Sequence, residues 1–346
     1  MKTLYILGCL LPLLFSCSSS ESDYQDIALN VNIPANFPPM VYDVSVNPPT
    51  QKGFELGRKL FYDGRLSSDG LVSCAFCHIQ ENAFTHHGHT VSHGVDNRVG
   101  TRNSPAIQNL AYQNVYMWDG ATSHLDLQPL IPLTSEVEMN GDLTAIVPMM
   151  KGDSAYKKLF EAAFPGQDIT VETMLKALSQ FMVMMVSSDS KFDKYRRNEA
   201  GGNLTEQELE GYSLFNQNCA SCHATDLMTD NSFRNNGLAV NPLVNDTGRY
   251  KVTGNDADRY KFKVPSLRNV ALTAPYMHDG RFGSLEAVLN HYANGISDSP
   301  TLDPLLKRHG TMGIPLTADE KMAIVAFLNT LTDTDFVTNT LYSYHD

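Results

Sequence analysis

Hydrophobic and polar positions repeat with helical spacing in several segments of the chain. Apolar residues that recur every three to four positions predict helices at 170–186, 203–216, 284–292 and 318–331. Thr205 and Thr317 stand near the starts of two of these segments, where a side-chain oxygen can cap the first turn. The stretches between helices are rich in Gly and Pro, and strand patterns are sparse. The pattern therefore predicts a mainly α fold.

The segment 170–186 is rich in Met and apolar over much of its surface. We expect it to be buried or to lie where two domains meet. Its methionines are interpreted as packing residues rather than as metal ligands, because a flexible thioether fills irregular gaps well.

The N-terminus has the pattern of an exported protein. A short basic end and an apolar run too short to span a bilayer predict a signal peptide at 1–16. The run ends in Leu14-Phe15-Ser16-Cys17, which resembles a bacterial lipobox; a signal peptide with a fortuitous Cys is the alternative. Residues 17–50 form a tether and N-terminal extension. We expect membrane contact through the lipid anchor only, as a periplasmic or outer-membrane-anchored lipoprotein of a Gram-negative bacterium.

Charge and cysteine content narrow the function. The 346 residues carry a formal net charge of -12, which argues against nucleic acid and suits a diffusing partner with a basic face. Of six cysteines, Cys9 leaves with the signal peptide and Cys17 carries the lipid. The remaining four occur as two pairs, which leaves none for a disulfide framework.

Both pairs are C-x-x-C-H motifs, Cys74 to His78 and Cys219 to His223. In such a motif two thioethers hold a haem and the histidine is the proximal iron ligand. A four-cysteine zinc site usually has closer pairs and needs no following His, and a thioredoxin-like dithiol normally occurs once. The sequence therefore predicts two covalently bound haem c groups.

The motifs lie in similar frames. A Gly-x-x-Leu-Phe segment precedes each, at 57–61 and at 211–215, on a helix expected to pack at the haem edge. Downstream, a collinear series of matches is separated by 160 positions: Pro105 and Pro265, Asn109 and Asn269, Gly120 and Gly280, Leu125 and Leu285. We therefore expect two cytochrome-c-like haem domains related by an internal repeat, at 51–202 and 203–346.

Differences between the repeats predict different roles. Under the 160-residue offset Tyr292 corresponds to Pro132, and tyrosine can ligate iron whereas proline cannot. Tyr292 is thus the predicted sixth ligand of the second haem, and the first haem is expected to be open. Alternative ligands for the second haem are Met312, Met277 and His291.

The first repeat also carries polar residues suited to peroxide chemistry. Glu138 can move a proton between the two peroxide oxygens, and Gln128 can orient peroxide and water. Trp118 is the only Trp and matches His278. It is either an electron relay between the haems or a core aromatic.

From about Gly53 onward the chain resembles the bacterial dihaem cytochrome c peroxidases and their MauG-type relatives. The resemblance rests on 65–70, both haem motifs, 103–105, 118–120, 137–139, 273–280 and the terminal helix. It implies a peroxidatic first haem and an electron-accepting second haem, with Glu138 and Gln128 in the peroxide pocket and Trp118 between the haems. It also implies a calcium ion held by the Asn103 side chain and the Thr273 and Pro275 carbonyls.

Two positions separate the branches of the family. Many peroxidases have Met where this chain has Tyr292, whereas the MauG branch has Tyr. The loop that supplies a removable distal His in many members aligns near Val95, with His93 out of register. His86, His87 and His89 are further candidates for this ligand, but are expected to face solvent.

The leading prediction is a peroxidase that reduces hydrogen peroxide with electrons from a small c-type cytochrome or cupredoxin. The alternative is a MauG-type enzyme that oxidises side chains of a partner protein, and a non-catalytic electron carrier is a third reading. A homodimer is also considered.

Overall fold

The computed structural model describes residues 26–307 and 310–344. The predicted signal peptide, the predicted lipidation site Cys17 and residues 18–25 lie outside the described residues. No helix within the described ranges is both long enough and apolar enough to cross a bilayer.

The described chain is mainly helical, as predicted. Its strands are limited to β1 (Phe233–Arg234) and β2 (Phe262–Lys263), which pair antiparallel. The α-helices of the described residues are α1 (Gln51–Tyr62), α2 (Cys74–Cys77), α3 (Leu130–Thr134), α4 (Leu143–Gly152), α5 (Ser154–Ala163), α6 (Val171–Val183), α7 (Lys191–Arg196), α8 (Glu206–Asn218), α9 (Tyr250–Thr253), α10 (Leu285–Asn294), α11 (Ala318–Asn329) and α12 (Thr334–Thr338).

The four predicted helices are α6, α8, α10 and α11. Thr205 and Thr317 are N-caps whose hydroxyls accept from the main-chain N–H three residues later, with a Glu side chain bonding back to each cap. Thr170 and Ser284 cap α6 and α10. The helix expected to reach Val186 ends at Val183, and the Met185 carbonyl just beyond accepts from Asn109 N at 2.9 Å.

In each half of the chain, the helix before the haem motif crosses a later helix at a glycine. A Cβ on Gly57 of α1 would lie 2.0 Å from the Ala177 carbonyl oxygen of α6. A Cβ on Gly211 of α8 would lie 1.9 Å from the Ala323 carbonyl oxygen of α11. The missing side chain lets the two backbones approach closely. The internal repeat of the sequence is therefore accompanied by a repeated helix crossing in the structure.

Two hydrophobic cores follow from these crossings, and each receives one helix from the far half of the chain. Phe192 of α7, although it follows α6, is buried in the second core. Phe336 and Val337 of α12 and the following Tyr342 are buried in the first core. Each half thus sends the segment after its crossing helix into the other half.

Matched hydrogen bonds hold each of these segments where it leaves its own half, and further bonds join the halves. Ser187 N donates to Asn109 Oδ1 at 2.9 Å in the first half, and Asp333 N donates to Asn269 Oδ1 at 2.7 Å in the second. The Ser187 hydroxyl in turn donates to Asp333 Oδ2 at 2.9 Å. Gln108 Nε2 donates to the main-chain oxygen of its repeat mate Arg268 at 2.7 Å. The repeat is therefore arranged about an approximate two-fold axis.

The two halves of the chain meet along a surface that we call the seam. The N-terminal extension covers part of it. Phe37 packs edge-on against Tyr112, and its ring lies under the Arg268 guanidinium at 4.9 Å. Arg268 and Asp193 form an ion pair with no solvent exposure on either side chain. Burial raises the pKa of Asp193, but the charge and hydrogen bonds of Arg268 outweigh it, so that the pKa lies below its usual value.

Candidate active site

A continuous cavity of about 610 Å³ runs through the seam between the two halves. Both C-x-x-C-H motifs line it, as do Trp118 and His278. The cavity therefore brings together the residues that the sequence assigns to two separate haems.

The first motif lies on the short helix α2. Ser73 precedes the helix as N-cap, and His78 follows its last residue. His78 Nδ1 hydrogen-bonds to the Phe84 carbonyl at 2.8 Å, which leaves Nε2 free to ligate a metal. Burial lowers the pKa of His78 to about 4, so the imidazole is neutral, as a ligand must be.

The second motif repeats this arrangement. His223 Nδ1 hydrogen-bonds to the Met228 carbonyl at 3.2 Å, and burial lowers the pKa of His223. The main-chain N–H of each motif histidine donates to the carbonyl of the first cysteine of its motif, at 3.0 Å in both halves.

These residues fit haem. The cavity is lined by four unpaired cysteines: Cys74, Cys77, Cys219 and Cys222. Each pair lies beside its motif histidine, whose Nε2 is available as a ligand atom. Burial raises the pKa of Cys74 and of Cys219 to about 12, so the free thiols are neutral. At each end of the cavity two thiols can form the thioether bonds that attach a haem, and one neutral imidazole can ligate its iron. The haem supplies redox chemistry when bound.

The residues predicted to act on peroxide all lie on the side of the cavity that the first half of the chain forms. Glu138, Gln128 and Pro132 all line it. Burial raises the pKa of Glu138, while a hydrogen bond with the Ser92 side chain acts in the opposite direction. The Glu138 main-chain oxygen accepts from Val95 N at 2.8 Å, so the loop at 86–99 is tied to the carboxylate's segment. Gln128 Nε2 lies 3.6 Å from Met117 Sδ.

The candidate ligands of the second haem are placed unequally. Tyr292 and Met277 line the cavity, and burial raises the pKa of Tyr292 to about 12. Met312 is 48% exposed and is not a lining residue. His291 is buried, and its Nε2 hydrogen-bonds to the Asn236 carbonyl at 3.0 Å. Two of the four candidates are thus positioned to reach the cavity.

Trp118 lies in the seam. Its indole N–H donates to the Asn103 carbonyl at 2.8 Å, and its own carbonyl accepts from Lys263 N at 2.7 Å. His278, its repeat mate, stacks on Phe262 with ring centroids 3.7 Å apart. Trp118 therefore borders the cavity that both motifs share, and it is hydrogen-bonded to a main-chain group of each half.

The residues predicted for calcium also border this cavity: Asn103, Thr273 and Pro275. Asn103 Nδ2 donates to the Thr90 carbonyl at 3.1 Å, which leaves Oδ1 to face a cation. In the described ranges no group of three or more His, Cys, Asp or Glu side chains converges as a metal site. A cation here would be held by neutral amide and carbonyl oxygens, which suit calcium.

The histidines of the loop before Val95 differ from expectation at one position. His87 and His89 are exposed, but His86 is 4% exposed, so the expectation that it faces solvent is wrong. The His86 ring is stacked on that of His89, with ring centroids 4.3 Å apart. The Phe76 ring, with its centroid 6.0 Å away, covers the His86 ring. None of the four loop histidines lines the cavity.

Sequence reasoning missed two groups at the seam. Arg102 bridges the halves by donating Nη1 to Asp119 at 2.6 Å and Nη2 to Asp246 at 2.9 Å. Lys263 places its ammonium against Val115 O at 3.0 Å. Lys263 could have been singled out from the repeat alone, since it is the mate of Asn103.

Comparison with known proteins agrees with this geometry. Residues 51–201 match the family model described as di-haem cytochrome c peroxidase, and residues 208–332 match that of cytochrome c. The methylamine utilization protein MauG of Methylorubrum extorquens is 35% identical over 91% of this chain and 87% of its own length. Cytochrome c551 peroxidase of Nitrosomonas europaea is 33% identical over 83% of this chain and 82% of its own.

A solved structure points the same way. The crystal structure of a MauG-like protein associated with microbial copper homeostasis superposes with a TM-score of 0.82 at 36% identity, covering 91% of this chain and 99% of that one. The chain therefore belongs to the family of di-haem cytochrome c peroxidases and MauG proteins. It is an oxidoreductase with two haem-binding domains, which confirms the predicted family and fold class.

Proposed function

We propose that the protein reduces hydrogen peroxide to water at a haem held by Cys74, Cys77 and His78. Electrons enter through a second haem held by Cys219, Cys222 and His223, from a small c-type cytochrome or cupredoxin. The observation that carries the proposal is the inequality of the two ends of the cavity. Pro132 lines it where the other half has Tyr292, and Glu138 and Gln128 line it on the Pro132 side.

The residues on the open side can perform the proton transfers. Reduction of one hydrogen peroxide consumes two electrons and two protons and yields two waters. Glu138 accepts the proton of the oxygen that will stay near the haem and returns it to the departing oxygen. Its raised pKa suits a group that must both take up and release a proton. Gln128 holds peroxide and water by hydrogen bonds in the orientation that this transfer needs.

The remaining residues support the path between the haems. Tyr292 would be the sixth ligand of the second haem, so that this end would exchange electrons and would not bind peroxide. Trp118 relays electrons across the seam. A calcium ion held by Asn103, Thr273 and Pro275 fixes the two halves against each other.

The test is steady-state peroxide turnover with a reduced small cytochrome c as donor. Donor oxidation that depends on peroxide, with two donors oxidised per peroxide, supports the proposal. Donor oxidation without peroxide, or none with either donor class, contradicts it.

A second candidate is peroxide-dependent oxidation of side chains on a partner protein. Tyrosine at position 292 is the residue of the MauG branch, and a relative named MauG is 35% identical to this chain. The discriminating assay supplies peroxide together with proteins of the same organism and searches them for new oxidised residues by mass spectrometry. Oxidation confined to one protein, with little turnover of cytochrome donors, favours this candidate.

We further propose a lipid anchor at Cys17, a periplasmic or outer-membrane-anchored location, and functional units at 51–202 and 203–346. A homodimer is also proposed. Labelling with a radioactive fatty acid tests the anchor, and sedimentation of the purified protein tests the dimer.

A further inference from the structure

Lys263 directs its ammonium into the segment that leads to Trp118. Its Nζ donates to the Val115 carbonyl at 3.0 Å and also to Gln113 Oε1. The residue is part-buried and lines the cavity. Burial lowers the pKa of this amine to about 7, whereas two oxygen acceptors favour its charged form. The proposed function assigns this cation no role.

The position of Lys263 follows from the approximate two-fold axis. Asn103 N donates to the His278 carbonyl at 2.7 Å, and Lys263 N donates to the Trp118 carbonyl at 2.7 Å. Asn103 and Lys263 are 160 positions apart, as are Trp118 and His278. The same bond is thus made twice, once from each half to the other.

The axis also relates the surroundings of the ammonium to the candidate calcium site. Thr273 corresponds to Gln113, and Pro275 corresponds to Val115. The three positions that would hold calcium therefore have as counterparts the lysine and the two residues whose oxygens surround its ammonium. Both sets offer neutral oxygens, which stabilise a cation without a carboxylate.

We propose that the Lys263 ammonium is a built-in cation, which occupies the place that the two-fold axis assigns to a second calcium ion. It ties the 113–118 segment to the second half of the chain and so makes Lys263 a positioning residue for Trp118. The comparison with calcium rests on the proposed calcium site at Asn103. The contacts of the Lys263 ammonium are independent of that proposal.

The test uses Lys263→Met and Lys263→Asn in the protein with both haems. Met keeps the length of the side chain without the charge, and Asn recreates the residue type of position 103. We expect both variants to unfold at a lower temperature than wild type in EDTA. Calcium should restore the midpoint of Lys263→Asn but not that of Lys263→Met. Lys263→Asn should also retain one more calcium ion per chain than Lys263→Met after gel filtration.

Lys261→Asn is the matched control, because it places an Asn two residues away, at a position whose side chain forms a 3.6 Å ion pair with Asp258. Equal calcium uptake by the two Asn variants overturns the proposal, as does a Lys263→Met protein as stable as wild type. If Lys263→Met does not fold, the comparison is made between Lys263→Asn produced with and without calcium. Folding only with calcium supports the proposal, and any other result overturns it. Wild type that binds no calcium refutes the site at Asn103, while the variants still decide the role of Lys263.

Discussion

Glu138 is the residue on which the proposed chemistry depends most directly. It lines the cavity on the side of the haem that is proposed to be open, and burial raises its pKa. Glu138→Gln keeps the shape but cannot carry a proton, so peroxide turnover should fall by about 10²–10⁴, or roughly 3–5 kcal/mol of barrier. Gln128→Ala should cost less, since water can replace its hydrogen bonds. The measurement is the initial rate with reduced cytochrome c, with both haems confirmed as attached.

Glu136→Gln is the control, because Glu136 is exposed and does not line the cavity. The pH profile adds a second readout. A base must be deprotonated, so wild-type activity should fall as the pH drops through the raised pKa of Glu138, above the ordinary value of 4.5. This acid limb should vanish in Glu138→Gln. A variant with wild-type turnover would place the acid–base group elsewhere.

Tyr292 carries the second prediction at this scale. An anionic oxygen ligand stabilises ferric iron, so Tyr292→Phe should raise the reduction potential of the second haem and remove its oxygen-ligand signature from the electron spin resonance spectrum. Met312→Ala serves as the control, since Met312 is 48% exposed. Should Met277→Leu shift the potential while Tyr292→Phe does not, Met277 is the ligand.

At the scale of elements, the crossings of α1 with α6 and of α8 with α11 hold each half together. Gly57→Ala would push a methyl group to 2.0 Å from the Ala177 carbonyl oxygen, so the helices must separate. The expected loss is about 1–3 kcal/mol in the free energy of unfolding, as for other overpacked sites. Denaturant titration measures it.

Gly152→Ala is the matched control, because a Cβ at the end of α4 meets no atom within 4 Å. It should be neutral or gain up to about 1 kcal/mol from helix propensity. If Gly57→Ala is as stable as this control, close helix approach is not what the glycine provides.

The helices show what the sequence can and cannot predict. Capping residues and apolar spacing are local, so α8 and α11 were placed within a few residues from Thr205 and Thr317. Glu138 and Gln128 were predicted from the comparison of the two repeats and from the family resemblance, and both line the cavity. By contrast, α3 is five residues long with Pro132 inside it, and so short a helix has no detectable periodicity.

At the scale of the whole molecule, the exchange of segments between cores could not be predicted. Phe192 and Phe336 are apolar in either arrangement, and their pattern does not say which core receives them. The same holds for Arg102, whose partners Asp119 and Asp246 lie in different halves. The repeat offset pairs equivalent residues but does not say which of them meet across the axis.

This exchange brings the C-terminal segment next to the first C-x-x-C-H motif. Phe336 is 3% exposed, and its ring packs on Phe84 with centroids 5.6 Å apart. The Phe84 carbonyl accepts the hydrogen bond that orients His78, at 2.8 Å. The far end of the chain therefore supports the histidine that is proposed as the proximal ligand in the other half.

Phe336→Ala should test this support. Removing a buried aromatic ring typically costs about 3–5 kcal/mol of unfolding free energy, and the cavity next to Phe84 should loosen the orientation of His78. We expect the spin resonance signal of the first haem to broaden or shift while that of the second stays unchanged. Leu341→Ala is the control, because Leu341 lies in the same segment but is 48% exposed. Equal changes at both haems would mean that α12 stabilises the molecule as a whole and has no particular connection to His78.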